Sequence, residues 1–180
     1  MAEEAVWKTI LPVGEYQDCL VGPDGEVIWT TPWQRNLIVE NLRRLLAALL
    51  KGDTLGKPLT HWAVGRGEED WDSDPNKIPP ESERYRWETL KNEVGRKPLT
   101  EAQVVFLGGT FTNQLQISME FAADDILPGE NNQNRRLREF GLFAGGSEGS
   151  GACVLINHRV HPRIDLEEGF TLQRTLRLTF

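Results

Sequence analysis

Phe111-Thr112-Asn113-Gln114-Leu115-Gln116-Ile117-Ser118-Met119-Glu120-Phe121 is the stretch that decides the fold. Phe111, Leu115, Ile117, Met119 and Phe121 take every second position, with Asn113 the exception, while Thr112, Gln114, Gln116, Ser118 and Glu120 take the others. That period belongs to a strand with one face on a core and the other on water or a neighbour. The C-terminus repeats it: Phe170, Leu172, Leu176, Leu178 and Phe180 alternate with Thr171, Gln173, Thr175, Arg177 and Thr179, and Arg174 alone breaks the apolar row. The last residue is therefore expected inside a sheet.

Working outward, Cys19-Leu20-Val21 and Val27-Ile28-Trp29-Thr30 flank Gly22-Pro23-Asp24-Gly25, the signature of a hairpin over residues 16–31. Ile38, Leu42, Leu45 and Leu49 recur at helical spacing, which predicts one amphipathic helix over residues 37–51 ended by Gly52. Leu59-Thr60-His61-Trp62-Ala63-Val64-Gly65 reads as a core strand. Residues 68–80, acidic and broken by Pro75, Pro79 and Pro80, read as an exposed loop, and residues 81–94 as a charged helix or an extended arm. Strands separated by turns, with one good helix, predict a mainly β fold: an antiparallel β-sandwich with one amphipathic flanking helix and long loops. Residues 1–35 are expected to form an N-terminal arm and hairpin lying between subunits, and residues 36–180 a single β-sandwich domain.

Composition narrows the function. The 180 residues suit one domain, and 27 acidic against 20 basic residues give a net charge of −7, the wrong sign for gathering phosphates, so no nucleic acid is expected as a partner. The two cysteines, Cys19 and Cys153, lie far apart outside any CxxC pair; reduced core residues made in a cytoplasm are the simplest reading. Met1-Ala2-Glu3-Glu4 is acidic where a secretion signal is basic. The most apolar run, residues 37–50, carries Glu40, Arg43 and Arg44 and falls short of the roughly 20 residues of a membrane span, so none is expected.

Chemistry-bearing patterns are sparse. Asp70, Asp72 and Asp74 alternate, with Asn76 and Glu81 at later calcium-loop positions, but Pro75 stands where that loop needs Gly, so no metal is expected. His158 and His161 would face opposite sides of a pleat and cannot share a metal there. Nucleophile-elbow, HExxH, Walker and dinucleotide motifs are missing, and the Gly145–Gly151 run has neither the lysine nor the following helix of a phosphate cradle. No cofactor and no enzymatic activity are expected. All six tryptophans, at positions 7, 29, 33, 62, 71 and 87, fall in the first half. Trp7, Trp33, Trp71 and Trp87 are the candidate interface residues, because flat aromatics anchor protein interfaces and sugar clefts alike. Trp71, in an acidic loop without apolar neighbours, is the one expected to reach outside its own fold.

The order of several short motifs carries a resemblance. Arg35-Asn36-Leu37-Ile38 opens the helix that bears Leu45-Leu46-Ala47-Ala48-Leu49-Leu50. His61-Trp62-Ala63-Val64-Gly65-Arg66-Gly67 follows, then Glu93, Arg96 and Pro98, then Leu137-Arg138-Glu139-Phe140-Gly141-Leu142-Phe143, then Leu155-Ile156-Asn157-His158-Arg159-Val160 and a closing strand. Over residues 36–180 this order resembles tail-fibre or baseplate structural proteins of tailed bacteriophages, a family related to components of contractile injection systems. The loop at residues 68–84 and the first 35 residues depart from the pattern. The resemblance implies a non-enzymatic virion protein, made in the host cytoplasm and built into the phage tail as a baseplate or tail-fibre connector. Its partners would be itself, in a symmetric homo-oligomer, and other tail or baseplate proteins. A carbohydrate-binding module at the tail tip, with a host surface glycan as partner, is the alternative. Glu139, Gly141, Leu142 and Phe143 form the structural core signature. A carboxylate at Glu139 beside such a core needs a partner, with Arg138, Arg135 and Arg159 as candidates, and its loss is expected to cost soluble expression.

Overall fold

Strand pairing follows the alternation closely in a computed structural model that describes residues 12–52, 58–145 and 153–180. The strands are β1 (Val13–Val21), β2 (Val27–Thr30), β3 (Gln34–Ile38), β4 (Leu59–Gly65), β5 (Glu93–Pro98), β6 (Val104–Phe106), β7 (Gln114–Ala122), β8 (Arg136–Ala144), β9 (Val154–Asp165) and β10 (Thr171–Thr179). The α-helices are α1 (Asn41–Lys51), α2 (Asp70–Ser73) and α3 (Glu81–Arg84). The two stretches with the clearest period sit side by side, with Leu172, Leu176 and Leu178 of β10 opposite Phe121, Ile117 and Leu115 of β7. β1 and β2 form the expected hairpin, closed by Gly25 at φ 80° and by its N–H on the Gly22 carbonyl.

Among the described residues the strands make one antiparallel sheet in the order β5-β4-β8-β9-β3-β1-β10-β7-β6, with β2 also on β1. β3 is where the sheet turns. Its first half pairs with β1, Asn36 opposite Gly14, and its second half pairs with β9, Leu37 opposite His158. The chain is thus mainly β and antiparallel, as expected, but the strands curl into a half-barrel rather than forming two separate layers of a sandwich. Of the arm and hairpin expected over residues 1–35, residues 13–21, 27–30 and 34–35 lie in the strands of this sheet, with β1 between β10 on one side and β2 and β3 on the other.

The concave side holds the core. Tyr16, Trp62, Ile117, Phe121, Phe140, Leu142, Leu172 and Leu176, drawn from β1, β4, β7, β8 and β10, are all at most 1% exposed and belong to one cluster. Burying each of the large ones contributes on the order of 2–3 kcal/mol. α1 closes one end through Leu42 and Leu45. It is shorter than expected, because Leu37 and Ile38 are drawn into β3 and leave Asn41 as its first residue. Gly52 ends it in the left-handed conformation, φ 72°, donating to the Ala48 and Leu49 carbonyls. The convex side of β4, β8 and β9 is covered as well, since Ala63, Phe143 and Leu155 pack with Val39 and Leu90, and Trp87 lies against them. β8 is therefore buried on both faces, and its run from Leu137 to Ala144 reads as continuous rather than alternating.

Arg174, the one break in the β10 row, points inward and is 1% exposed. Its guanidinium grips the carboxylate of Asp18, directly opposite on β1 and 2% exposed, in a two-pronged pair with one arm at 2.7 Å, and lies 4.0 Å from the Phe140 ring centre. Removing one partner strands a buried charge. Asp18→Asn is expected to lower the unfolding free energy by about 3–5 kcal/mol in urea denaturation, whereas joint replacement by Asp18→Leu and Arg174→Met should cost far less. Equal losses for the single and the joint replacement would contradict a buried pair.

Candidate functional site

The β8 signature lies where two loop segments are fastened to the sheet. Pleating sends Glu139 to the convex face and its neighbour Arg138 to the other, so the two charges serve different partners. Glu139 is fully buried and accepts hydrogen bonds from the main-chain N–H groups of Lys91 at 3.1 Å and Asn92 at 2.9 Å, with His158 Nε2 at 3.1 Å. None of the three arginines expected from sequence reaches it. Arg138 holds Asp72, Arg135 meets Asp124, and Arg159 lies over the Tyr16 ring on the concave side. The donors come instead from a loop distant in sequence, which no spacing rule could reveal.

Gly141 is tied to the same cover. A Cβ there would lie 2.4 Å from Leu155 Cδ1 and 3.0 Å from Leu90 Cδ2, so only glycine lets Leu90 seat against the strand. Leu142 faces the concave core and Phe143 the convex cluster, where Arg96 stacks on its ring at 3.9 Å. Trp87 is half-buried and lies on the His158 ring with centroids 4.9 Å apart. Burial pushes the His158 pKa down against the pull of Glu139. Its neutral ring therefore donates from Nε2 to the carboxylate, and Nδ1 finds no partner among the described residues.

The second fastening secures the acidic segment. Arg138 clasps Asp72 through Nε at 2.9 Å and a second nitrogen, and its Nη1 donates to the carbonyls of Arg66 at 3.0 Å and Arg136 at 3.2 Å. The hydrogen bond from Arg138 holds the Asp72 carboxyl below the usual carboxylate range. Trp71, expected to reach outward, is 6% exposed and fills the space over Gly67. What residues 68–80 form is thus a tethered turn, not a free acidic loop. Their carboxylates diverge: Asp70 meets Lys77, Asp72 meets Arg138, and Asp74 caps the main-chain N–H of Asn76. Among the described residues no group of three or more potential ligands could hold a metal ion.

Deeper in the half-barrel, His161 shares the Asp18–Arg174 site. Nδ1 lies 2.8 Å from the Pro162 carbonyl and Nε2 lies 3.3 Å from an Arg174 nitrogen. Burial, with the Arg174 charge beside it, drives the His161 pKa down to about 3. His158 and His161 do fall on opposite faces of β9, as their three-residue offset requires. In each cluster the carboxylate is already engaged by a guanidinium, an imidazole or main-chain N–H groups, which is the chemistry of a fastener. Arg174 stands out in the sequence as a break in the apolar row; Asp18, its partner, sits between the inward Tyr16 and Leu20 of β1, where no local pattern singles it out.

The surface tells a different story. Trp33 is half-buried beneath Arg177, whose guanidinium lies 4.1 Å from the ring centre, and Trp7 lies outside the described residues, as does most of the Gly145–Gly151 turn. Large apolar side chains are nevertheless open to water: Phe111 and Leu50 are each 91% exposed and Leu127 is 81% exposed. Phe111 belongs to the β6–β7 connection rather than to β7, and its ring packs edge-on against the exposed Phe106 at 5.3 Å. Among the described residues no helix is long and apolar enough to cross a membrane. Compared with known proteins, the chain matches no family model, no curated protein and no solved structure.

The buried histidines give stability a pH dependence. Both have lower pKa values folded than the ordinary 6.5, so the unfolded chain binds more protons below that pH and stability falls on acidification. For His161 the loss runs from about 6.5 down to about 3, at about 1.4 kcal/mol per pH unit. Urea denaturation at pH 7 and pH 5 should show this drop, and His161→Gln should reduce it to the share of His158; equal stability at both pH values would contradict a buried neutral histidine.

Proposed function

We propose that this chain is a non-enzymatic structural protein of a phage tail, a baseplate or tail-fibre connector that works by assembling with copies of itself and with other tail proteins in the virion. The observation that carries the reading is the Phe106–Phe111 ring pair, displayed in water beside β6, which ends the strand order and has one flank unpaired among the described residues. An open strand edge is a template for another chain, and exposed apolar clusters mark association surfaces. The ordered motifs of residues 36–180 supply the kind of particle. The inner charges fit this role, since Glu139 and Arg138 spend their hydrogen bonds fastening loops to the sheet.

The glycan-binding alternative loses its leading residue with the burial of Trp71 and now rests on Trp33, which stands on the polar outer face near Gln116 and Arg177. Native mass measurement of the full chain, mixed with purified tail-tube and tail-fibre proteins, separates the two. Stable stoichiometric complexes that weaken at least about tenfold with Phe111→Ser, corresponding to about 1.4 kcal/mol, are the expected result. Failure to form any complex, together with glycan-array binding that Trp33→Ala abolishes, would favour the alternative.

A further inference from the structure

Between β1–β2 and the far end of β9, a cleft of about 310 Å³ opens, at the low end of the range of about 300–1,000 Å³ typical of ligand clefts. Trp29 forms one wall. It is half-buried, and among the described residues no ring or cation lies on its face, whereas Trp33, Trp62 and Trp87 lie against Arg177, Phe140 and His158. Hydrogen-bonding groups of both kinds stand around it. Asp18, 2% exposed, gives one lone pair from each carboxylate oxygen to Arg174 and keeps the others. Gln34 accepts from the Tyr16 hydroxyl at 3.0 Å, and its amide nitrogen has no partner among the described residues. Arg163 binds one carboxylate oxygen of Asp165 and leaves the other without a partner among the described residues.

We infer that this cleft binds one ring of a neutral saccharide, laid on Trp29 with its hydroxyls on Asp18, Gln34 and the Arg163–Asp165 pair. Both carboxylates of the lining already have a guanidinium, so an ion entering here would lose water without gaining a counter-charge. Hydroxyls suffer no such loss. They donate to the spare carboxylate lone pairs and accept from the amide, while the C–H face of a sugar ring meets the flat indole. A peptide added as a strand would need successive main-chain donors and acceptors. Pro162 supplies no N–H, and its carbonyl accepts from His161 Nδ1 at 2.8 Å. A second hollow of about 560 Å³ meets the cleft at His161, Pro162 and Arg163, which leaves room for further rings of an oligosaccharide. This inference does not rest on the assembly reading, since the cleft lies within one chain.

A glycan array carrying neutral and acidic oligosaccharides, probed with the full chain and followed by calorimetric titration of a retained neutral glycan, tests it. Neutral oligosaccharides should bind. Trp29→Ala should weaken that binding at least about tenfold and Asp165→Asn at least about threefold, while Trp33→Ala changes it less than about twofold. Asp165 is exposed, so its replacement decides the matter where Trp29→Ala does not fold. No neutral glycan bound, acidic glycans alone bound, binding that either folded variant leaves intact, or binding that Trp33→Ala abolishes would overturn the inference. Loss of assembly with glycan binding retained would count against the assembly reading alone.

Discussion

The pair formed by Arg174 and Asp18 sets the terms for the rest of the structure. A guanidinium taken out of water is tolerable only when its charge is paired, and here the carboxylate of Asp18 stands directly across the β1–β10 ladder and engages two of its nitrogens. Shifting β10 by one residue would turn Arg174 to the convex face and put threonines into the core, so the pair and the leucines around it specify the same register. Phe140 reaches the guanidinium from the opposite wall of the half-barrel, and Tyr16 meets Phe140 edge-on with centroids 5.0 Å apart. Strands distant in the sheet are thereby joined through one site.

β8 connects that interior to the cover on its other side. Glu139 has three hydrogen-bond donors, two of them main-chain groups of a loop that would otherwise have to satisfy its polar atoms in water. Deleting its side chain would orphan all of them at once, which gives the expected dependence of soluble expression on Glu139 its physical basis. Arg138 does the corresponding work for the acidic turn. The charged residues of the signature therefore hold loops down, while large apolar side chains, Phe106, Phe111, Leu50 and Leu127 among them, stand open to solvent.

Regular alternation made much of the fold legible. β7, β10, the Gly22–Gly25 hairpin turn and the Gly52 stop all follow from period or from turn chemistry. β3 did not, because its residues pair half with β1 and half with β9, and a strand that bends between partners has no single period. Phe111 kept the period of β7 by coincidence while lying in the turn before it. Contacts between distant segments were the least legible. Nothing local marks Asp72 as the carboxylate that meets Arg138, or the N–H groups of Lys91 and Asn92 as the partners of Glu139. Trp71, expected to reach outward, is buried for the same reason: residues that cover it lie far away in sequence.

The apolar core, with the Asp18–Arg174 pair inside it, stabilises the half-barrel, and the proposed assembly rests on the apolar side chains left exposed outside it. Sedimentation velocity on the unmodified chain over a wide range of concentration is the most direct measurement of that claim. A reversible shift from monomer to a discrete oligomer as concentration rises is the result the account requires. A single monomeric boundary at every concentration, with Phe111 remaining fully open to solvent labelling, would contradict it.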